Sequence, residues 1–177
     1  MATQLTADHA KVSLSAHVAA KGAEIFEKYG PHIGYSELQA ILQDHTVVRY
    51  PVELAFDSSH LNPGEFAYPA PNGARPEEGF TLYVHPIYMT QLSVVPLLAL
   101  YQIVTVNYGE FASHEDAETF ASHALGMDRE ECYQKICELA DQLGVGIDPG
   151  TGMGGGVRPM HEHSHGGGCG GGGCGGG

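Results

Sequence analysis

The composition of the C-terminal stretch limits which part of the chain can form a folded core. From residue 149 onward it is rich in glycine, and its other side chains include five residues of two metal-binding types: His161, His163, His165, Cys169 and Cys174. Such a segment cannot bury enough apolar surface to offset the entropy lost when its backbone is ordered. The sequence therefore predicts a single domain over residues 1–148 and a flexible Gly/His/Cys-rich tail over residues 149–177.

The first 148 residues carry the patterns of an α+β domain. Apolar spacing predicts helices over residues 6–29, 36–43 (with Ser36 as N-cap), 90–108, 115–125 and about 129–143. Alternation and β-branched content predict strands over residues 47–50, 52–56, 65–68 and 80–84. A strand stays open as an alternative for residues 103–106. We expect a small mixed or antiparallel sheet with helices from both ends of the domain.

Charge and hydropathy exclude two classes of partner. The formal net charge is −13, so nucleic acid and anionic membrane surfaces would repel the chain. The longest apolar run, residues 92–106, is shorter than the roughly 20 residues that a bilayer span needs, and no signal peptide is recognisable. A cytoplasmic protein with reduced thiols is the expectation. The composition is equally compatible with an acidic monomer and with a homo-oligomer that buries the apolar run.

The tail residues predict metal binding. Imidazole binds nickel, zinc and copper, and thiolate strengthens the binding of zinc and cuprous copper. His161, His163 and His165 are spaced by two, and four glycines separate Cys169 from Cys174. Because this spacing is unlike that of a structural zinc finger, it favours a loose, exchangeable site. Glu162 would be a weak oxygen ligand. A low-complexity end without a role is the plainer alternative.

In composition, the tail resembles the His- and Cys-rich termini of nickel and zinc metallochaperones. The resemblance covers about the last 17 residues. It implies capture, storage or delivery of Ni, Zn or Cu, with a protein partner that receives the metal. The chain has no P-loop motif, which disfavours a nucleotide-driven metal inserter.

The same segment also resembles the core peptides of thiazole- and oxazole-modified microcins, in which Cys and Ser stand among glycines. That resemblance implies a precursor whose Cys169 and Cys174 thiols are cyclised onto the backbone. Against it, the region that precedes the tail has the length and patterning of a folded domain, which exceeds most leader peptides.

A third hypothesis is an enzyme of unknown reaction with a His-containing site near residues 57–85. His60 lies in a long loop, and His85 follows a predicted strand and precedes a proline. His114 and Glu118 are four residues apart on a predicted helix, so they share a face. Ordinary surface or core-edge roles are the commoner outcome for all four. The hypothesis requires them to surround one pocket.

The order of elements resembles that of zincin-like metalloproteases, in which strands lead into a buried helix. Their helix carries His-Glu-x-x-His, whereas residues 98–102 here read Leu-Ala-Leu-Tyr-Gln. Peptidase activity by that mechanism is therefore excluded. Cys132 and Cys137, five apart on a predicted helix, point in different directions and are expected to be buried free thiols.

Overall fold

Five α-helices and a small mixed sheet are formed by residues 7–144, which are the residues that the computed structural model describes. The helices are α1 (Ala7–Tyr29), α2 (Tyr35–Leu42), α3 (Val95–Tyr108), α4 (His114–Leu125) and α5 (Arg129–Asp141). The strands are β1 (Val52–Phe56), β2 (Ala67–Pro71) and β3 (Phe80–Val84). The predicted α+β class is confirmed. The predicted tail, with its five candidate ligands, lies outside the described residues.

Helix α3 is the centre of the core. It is apolar almost all round, and all but two of its residues are buried between the sheet and the other helices. It begins at Val95 with Pro96 in its first turn, and residues 86–90 form a separate 3-10 helix. Residues 103–106 lie within α3, so the strand alternative for them is wrong. No helix within residues 7–144 is long and apolar enough to cross a membrane.

The sheet has the strand order β1-β3-β2, with β1 parallel and β2 antiparallel to β3. Backbone bonds from His85 to Phe66 and from Asn72 to Gly79 flank the β2–β3 pair. The backbone N–H and C=O groups of the even-numbered residues of β2 therefore point toward β3, and those of the odd-numbered residues point away from the sheet edge. Pro69 and Pro71 fall on the outward positions, where the missing N–H costs no ladder bond. Prolines thus protect the outer edge of β2 from pairing with another strand.

Two of the predicted strands differ from the structure. Residues 47–50 contain no strand: the N–H groups of Val47 and Val48 both donate to the Asp44 carbonyl, which closes a turn over residues 45–47, and residues 48–50 are irregular. The strand predicted at 65–68 begins at Ala67 instead. Its expected start is held in a turn, where the Glu65 carboxylate accepts the backbone N–H of Asn62 at 2.7 Å.

The start of α2 was also misplaced. The predicted N-cap, Ser36, is already helical, and Gly34 takes the cap position. Glu37 reaches back to accept the Gly34 N–H at 2.9 Å, which satisfies one of the free donors of the first turn. The starts of α4 and α5 follow prediction. Ser113 and Asp116 cap each other reciprocally, and the Asp128 carboxylate accepts the N–H of Glu130.

Helices α1 and α4 make the most extensive contact among the helices of residues 7–144. A Cβ atom added at Gly22 of α1 would lie 2.6 Å from the Phe120 carbonyl oxygen and 2.8 Å from the His123 Cβ. A larger residue would clash with α4, so only glycine fits at this crossing. At the end of α4, Gly126 adopts φ +64°, a left-handed conformation that closes the helix over the Phe26 ring.

Candidate functional site

His85 has a structural role at the end of β3. Its ring accepts the N–H of Ile87 through Nδ1 at 3.3 Å, which caps the 3-10 helix formed by residues 86–90. The ring also stands edge-on to Tyr88, with 6.4 Å between centroids. Tyr88 is fully buried and donates its hydroxyl to the Leu139 carbonyl at 2.6 Å. His85 thus helps to fix the connection from β3 to α3.

His60 lies on the exposed loop and packs flat on a strand residue. Its ring stacks on Tyr83 of β3 with 4.1 Å between centroids and an angle of 11°. Its Nδ1 lies 3.0 Å from the Ser59 hydroxyl. Asp57 accepts the Ser59 backbone N–H at 2.8 Å, so the three neighbours form a local turn network. In this arrangement Asp57 orients the turn, whereas a catalytic triad would require it to orient the imidazole.

His114 and Glu118 lie together where α3, α4 and α5 meet. His114 Nδ1 is 3.3 Å from the hydroxyl of Tyr101, and burial lowers the pKa of His114. Burial also raises the pKa of Glu118, and Arg129 opposes this from 3.9 Å. Both side chains are thus partly withdrawn from water against the core. The predicted shared helix face is present, and the structure surrounds it with packed side chains.

The two described thiols belong to the same junction. Cys132 is fully buried, and burial raises its pKa to about 12. Cys137 is half-buried, so the expectation of two buried thiols holds for Cys132 and is wrong for Cys137. Burial raises the pKa of Cys137 as well. Both groups are therefore protonated and weakly nucleophilic at neutral pH.

Within residues 7–144, no group of three or more His, Cys, Asp or Glu side chains is placed to hold a metal ion. His60, His85 and the pair His114–Glu118 each have contacts of other kinds, as described above. The five tail residues predicted as ligands stay a prediction, because they lie outside the described part of the chain.

An open cavity of about 760 Å³ lies between the outer edge of β2 and the C-terminal half of α3. Aromatic rings and prolines supply most of its apolar wall: Tyr50, Tyr68, Pro69, Pro71, Pro76, Phe80, Tyr108 and Phe111. Its size falls in the range of pockets that bind small organic molecules and cofactors. None of His60, His85, His114 or Glu118 lines it. The enzyme hypothesis therefore lacks the convergence of these residues around a pocket.

The floor of this cavity is fixed by two buried amides. Gln102 donates from Nε2 to the Ala67 carbonyl at 3.0 Å, which ties α3 to β2. Asn107 donates to the Val47 carbonyl and accepts the backbone N–H of Arg49, both at 2.8 Å. These amides satisfy backbone groups that burial would otherwise leave unpaired. They also hold the segment before β1 against the end of α3.

Arg49 supplies the positive charge at the cavity. Its guanidinium lies over the ring of Tyr50, with 5.4 Å to the centroid, and its side chain is exposed. In the described part of the chain it forms no ion pair with a carboxylate. Glu110 lies elsewhere on the same lining. Burial raises the pKa of Tyr108, so its hydroxyl stays protonated at neutral pH.

Sequence reasoning missed this cavity. Its parts come from α1, the segment before β1, the loops on either side of β2, strands β2 and β3, and the end of α3 with the residues that follow it. No periodic pattern in the sequence links them. Two signals were nevertheless present: three polar residues, Gln102, Thr105 and Asn107, interrupt the most apolar helix, and prolines alternate through 69–71. Polar residues on one side of a buried helix commonly satisfy backbone groups or line a cavity.

The chain was compared with known proteins at three levels. No protein-family model, curated protein or solved structure matches it.

Proposed function

We propose that this chain is a metal-binding protein that captures, stores or delivers Ni, Zn or Cu through its C-terminal residues. The ligands would be His161, His163, His165, Cys169 and Cys174. The folded domain would recognise a partner or a second ligand. We place the protein in the reducing cytoplasm, where the tail thiols would stay available as ligands.

The observation that carries this proposal is the density of ligand residues at 161–174. Three imidazoles and two thiols occur within 14 residues, separated by Glu, Ser and mostly glycine. Imidazole suits Ni, Zn and Cu, and thiolate adds preference for Zn and Cu(I). The glycine backbone imposes little steric restriction on how five ligands close around one ion.

The described domain supports this assignment by contrast. Three of its histidines are engaged in other ways: His85 caps a 3-10 helix, His60 stacks on a tyrosine, and His114 contacts the hydroxyl of the buried Tyr101. Its thiols are held protonated by burial, whereas a metal ligand must be the thiolate. Metal bound by the full chain would therefore be assigned to the tail.

The test is native mass spectrometry of the chain isolated from its own host, beside the version that ends at Asp148. We expect a metal adduct on the full chain and none on the truncated one. Circular dichroism of the truncated chain serves as the control, and its spectrum should retain the helical signal of α1–α5.

Two outcomes would contradict the proposal. An equal metal adduct on both versions would place the site in the folded domain. A metal-free full chain that has lost one water and two hydrogens per tail cysteine would identify a precursor with thiazole rings instead. In that case Cys169 and Cys174 would be sites of modification.

A further inference from the structure

The cavity between β2 and α3 has the features of a binding site that the metal-binding proposal leaves unused. It is built from residues between Leu14 and Phe111, far along the chain from the tail. Its floor amides are engaged with the backbone of Ala67, Val47 and Arg49. A ligand would therefore meet a mostly apolar wall whose charged side chains, Arg49 and Glu110, are exposed.

The shape of the wall favours a planar apolar body. The rings of Tyr50 and Phe80 stand 6.1 Å apart at 44°, and Tyr108 and Phe111 supply rings from the end of α3. Aromatic and proline faces pack best on flat rings, in stacked or edge-on contacts. Phe111 is 88% exposed, an unusual state for so large an apolar side chain, and an occupant of the cavity would cover it.

The charged residues of the cavity lining favour a ligand whose anionic group lies near Arg49. Arg49 has no carboxylate partner within the described residues, although the chain carries 21 acidic residues. A guanidinium donates paired hydrogen bonds to a carboxylate. It has no acceptor atom, and its positive charge repels a cation. Glu110 would repel an anion, so the carboxylate must lie toward Arg49 and the apolar body toward the rings.

We propose that this cavity binds a small aromatic carboxylate, with Arg49 on the carboxylate and the tyrosine, phenylalanine and proline faces around the ring. The volume of about 760 Å³ accommodates a ligand of two or three fused rings with room for substituents. The inference stands apart from the metal-binding proposal, because no tail residue and no metal takes part in it.

The test uses 2-naphthoate as the probe and the full-length chain without added metal. The chain has no tryptophan, so naphthalene fluorescence reports binding with little protein background. We expect saturable binding of one probe per chain. In Arg49→Gln the affinity should fall about fivefold or more, since a charge-assisted pair is lost. The backbone bond from residue 49 to Asn107 is retained in that variant, so the fold should be kept.

Three controls sharpen the test. The neutral probe 2-naphthamide should bind more weakly than 2-naphthoate to the native chain and about equally to Arg49→Gln. Glu110→Gln should bind 2-naphthoate at least as tightly as the native chain, because a repelling charge is removed. Phe111→Ala should weaken both probes alike, since it removes an apolar contact and leaves the charge.

Four results would overturn the inference. They are absence of saturable binding up to millimolar probe, equal affinity in Arg49→Gln, tighter binding of decanoate than of 2-naphthoate, and displacement of the probe as the protein concentration rises. The third would indicate an aliphatic ligand, and the fourth would indicate that a second copy of the chain fills the cavity. Analytical ultracentrifugation at the same concentrations would identify the fourth directly.

Discussion

The histidines and cysteines of the domain differ from those of the tail in what else they do. In the described domain, His85 caps a helix, His60 stacks on Tyr83, and Cys132 fills core space. In the tail sequence, the same two residue types are packed into a short segment that has almost no other side chains. Under the metal-binding proposal, the contrast teaches that the local density of ligand residues in the sequence is a better guide to metal binding than the total number of histidines.

The largest expected effect is on metal affinity. Replacing His161, His163 and His165 together by Ala should weaken Ni or Zn binding by about 100-fold or more, because several ligands of one site are lost. Isothermal titration calorimetry measures the affinity. The matched control is the triple variant of His60, His85 and His114, which should leave it unchanged. A larger loss in the control than in the tail variant would reverse the comparison.

A second effect concerns thiol reactivity. Burial raises the pKa of Cys132 to about 12 and also raises that of Cys137, so both should react slowly with iodoacetamide near pH 8. We expect Cys169 and Cys174 to be alkylated first, about tenfold faster or more, and bound zinc to protect them. Peptide mapping by mass spectrometry assigns the sites. Faster labelling of Cys132 than of the tail thiols would break the contrast.

A third effect separates domain stability from metal binding. Gly22→Val places side-chain atoms against the Phe120 backbone where α1 crosses α4, and such overpacking should lower the free energy of unfolding by about 1–3 kcal/mol. Urea denaturation measures this change. Ala20→Val, on an exposed position of the same helix, should cost only a few tenths of a kcal/mol. Metal affinity should be equal in both variants, and a parallel loss of affinity in Gly22→Val would tie metal binding to the domain.

The smallest effect is a pair of opposite pH dependences at the α3–α4–α5 junction. Burial lowers the pKa of His114, so the unfolded chain binds more protons and stability falls as the pH drops below about 6.5. Burial raises the pKa of Glu118, so the folded chain binds more protons and stability rises as the pH falls toward about 4.5. His114→Gln should therefore lose less stability on acidification than the native chain, and Glu118→Gln more. Thermal unfolding between pH 7 and 4.5 measures both, and shifts of the same sign would contradict the assignment.

Much of the fold could be predicted from the sequence. Apolar periodicity and caps placed α1, α4 and α5, and alternation placed β1 and β3, because these signals are local. The errors fell where local hydrogen bonds close turns. The Asp44 carboxylate accepts the N–H of Thr46 just before the segment predicted as a strand at 47–50, and the Glu65 carboxylate accepts the N–H of Asn62 at the start of the other. The N-cap of α2 was missed since Gly34 offers no side chain, and Glu37 does the capping from inside the helix.

The candidate sites were predicted unevenly for a physical reason. The candidate ligands at 161–174 lie close together in the sequence, so the proposal for them could be made from the sequence alone. The cavity depends on contacts between Arg49, Asn107 and residues of β2, which are separated by up to 58 positions. Only the folded chain brings them together. The shared face of His114 and Glu118 was predictable from helical spacing, but its packing against Tyr101 required the structure.

The most direct test of the central claim is X-ray absorption spectroscopy of the zinc-loaded full chain. The account predicts a first shell of imidazole nitrogens at about 2.0–2.1 Å together with thiolate sulfurs at about 2.3 Å. The sulfur component should disappear in the Cys169→Ser, Cys174→Ser double variant. A shell of oxygen ligands alone, or a sulfur component that persists in that variant, would contradict the assignment of the metal to the tail.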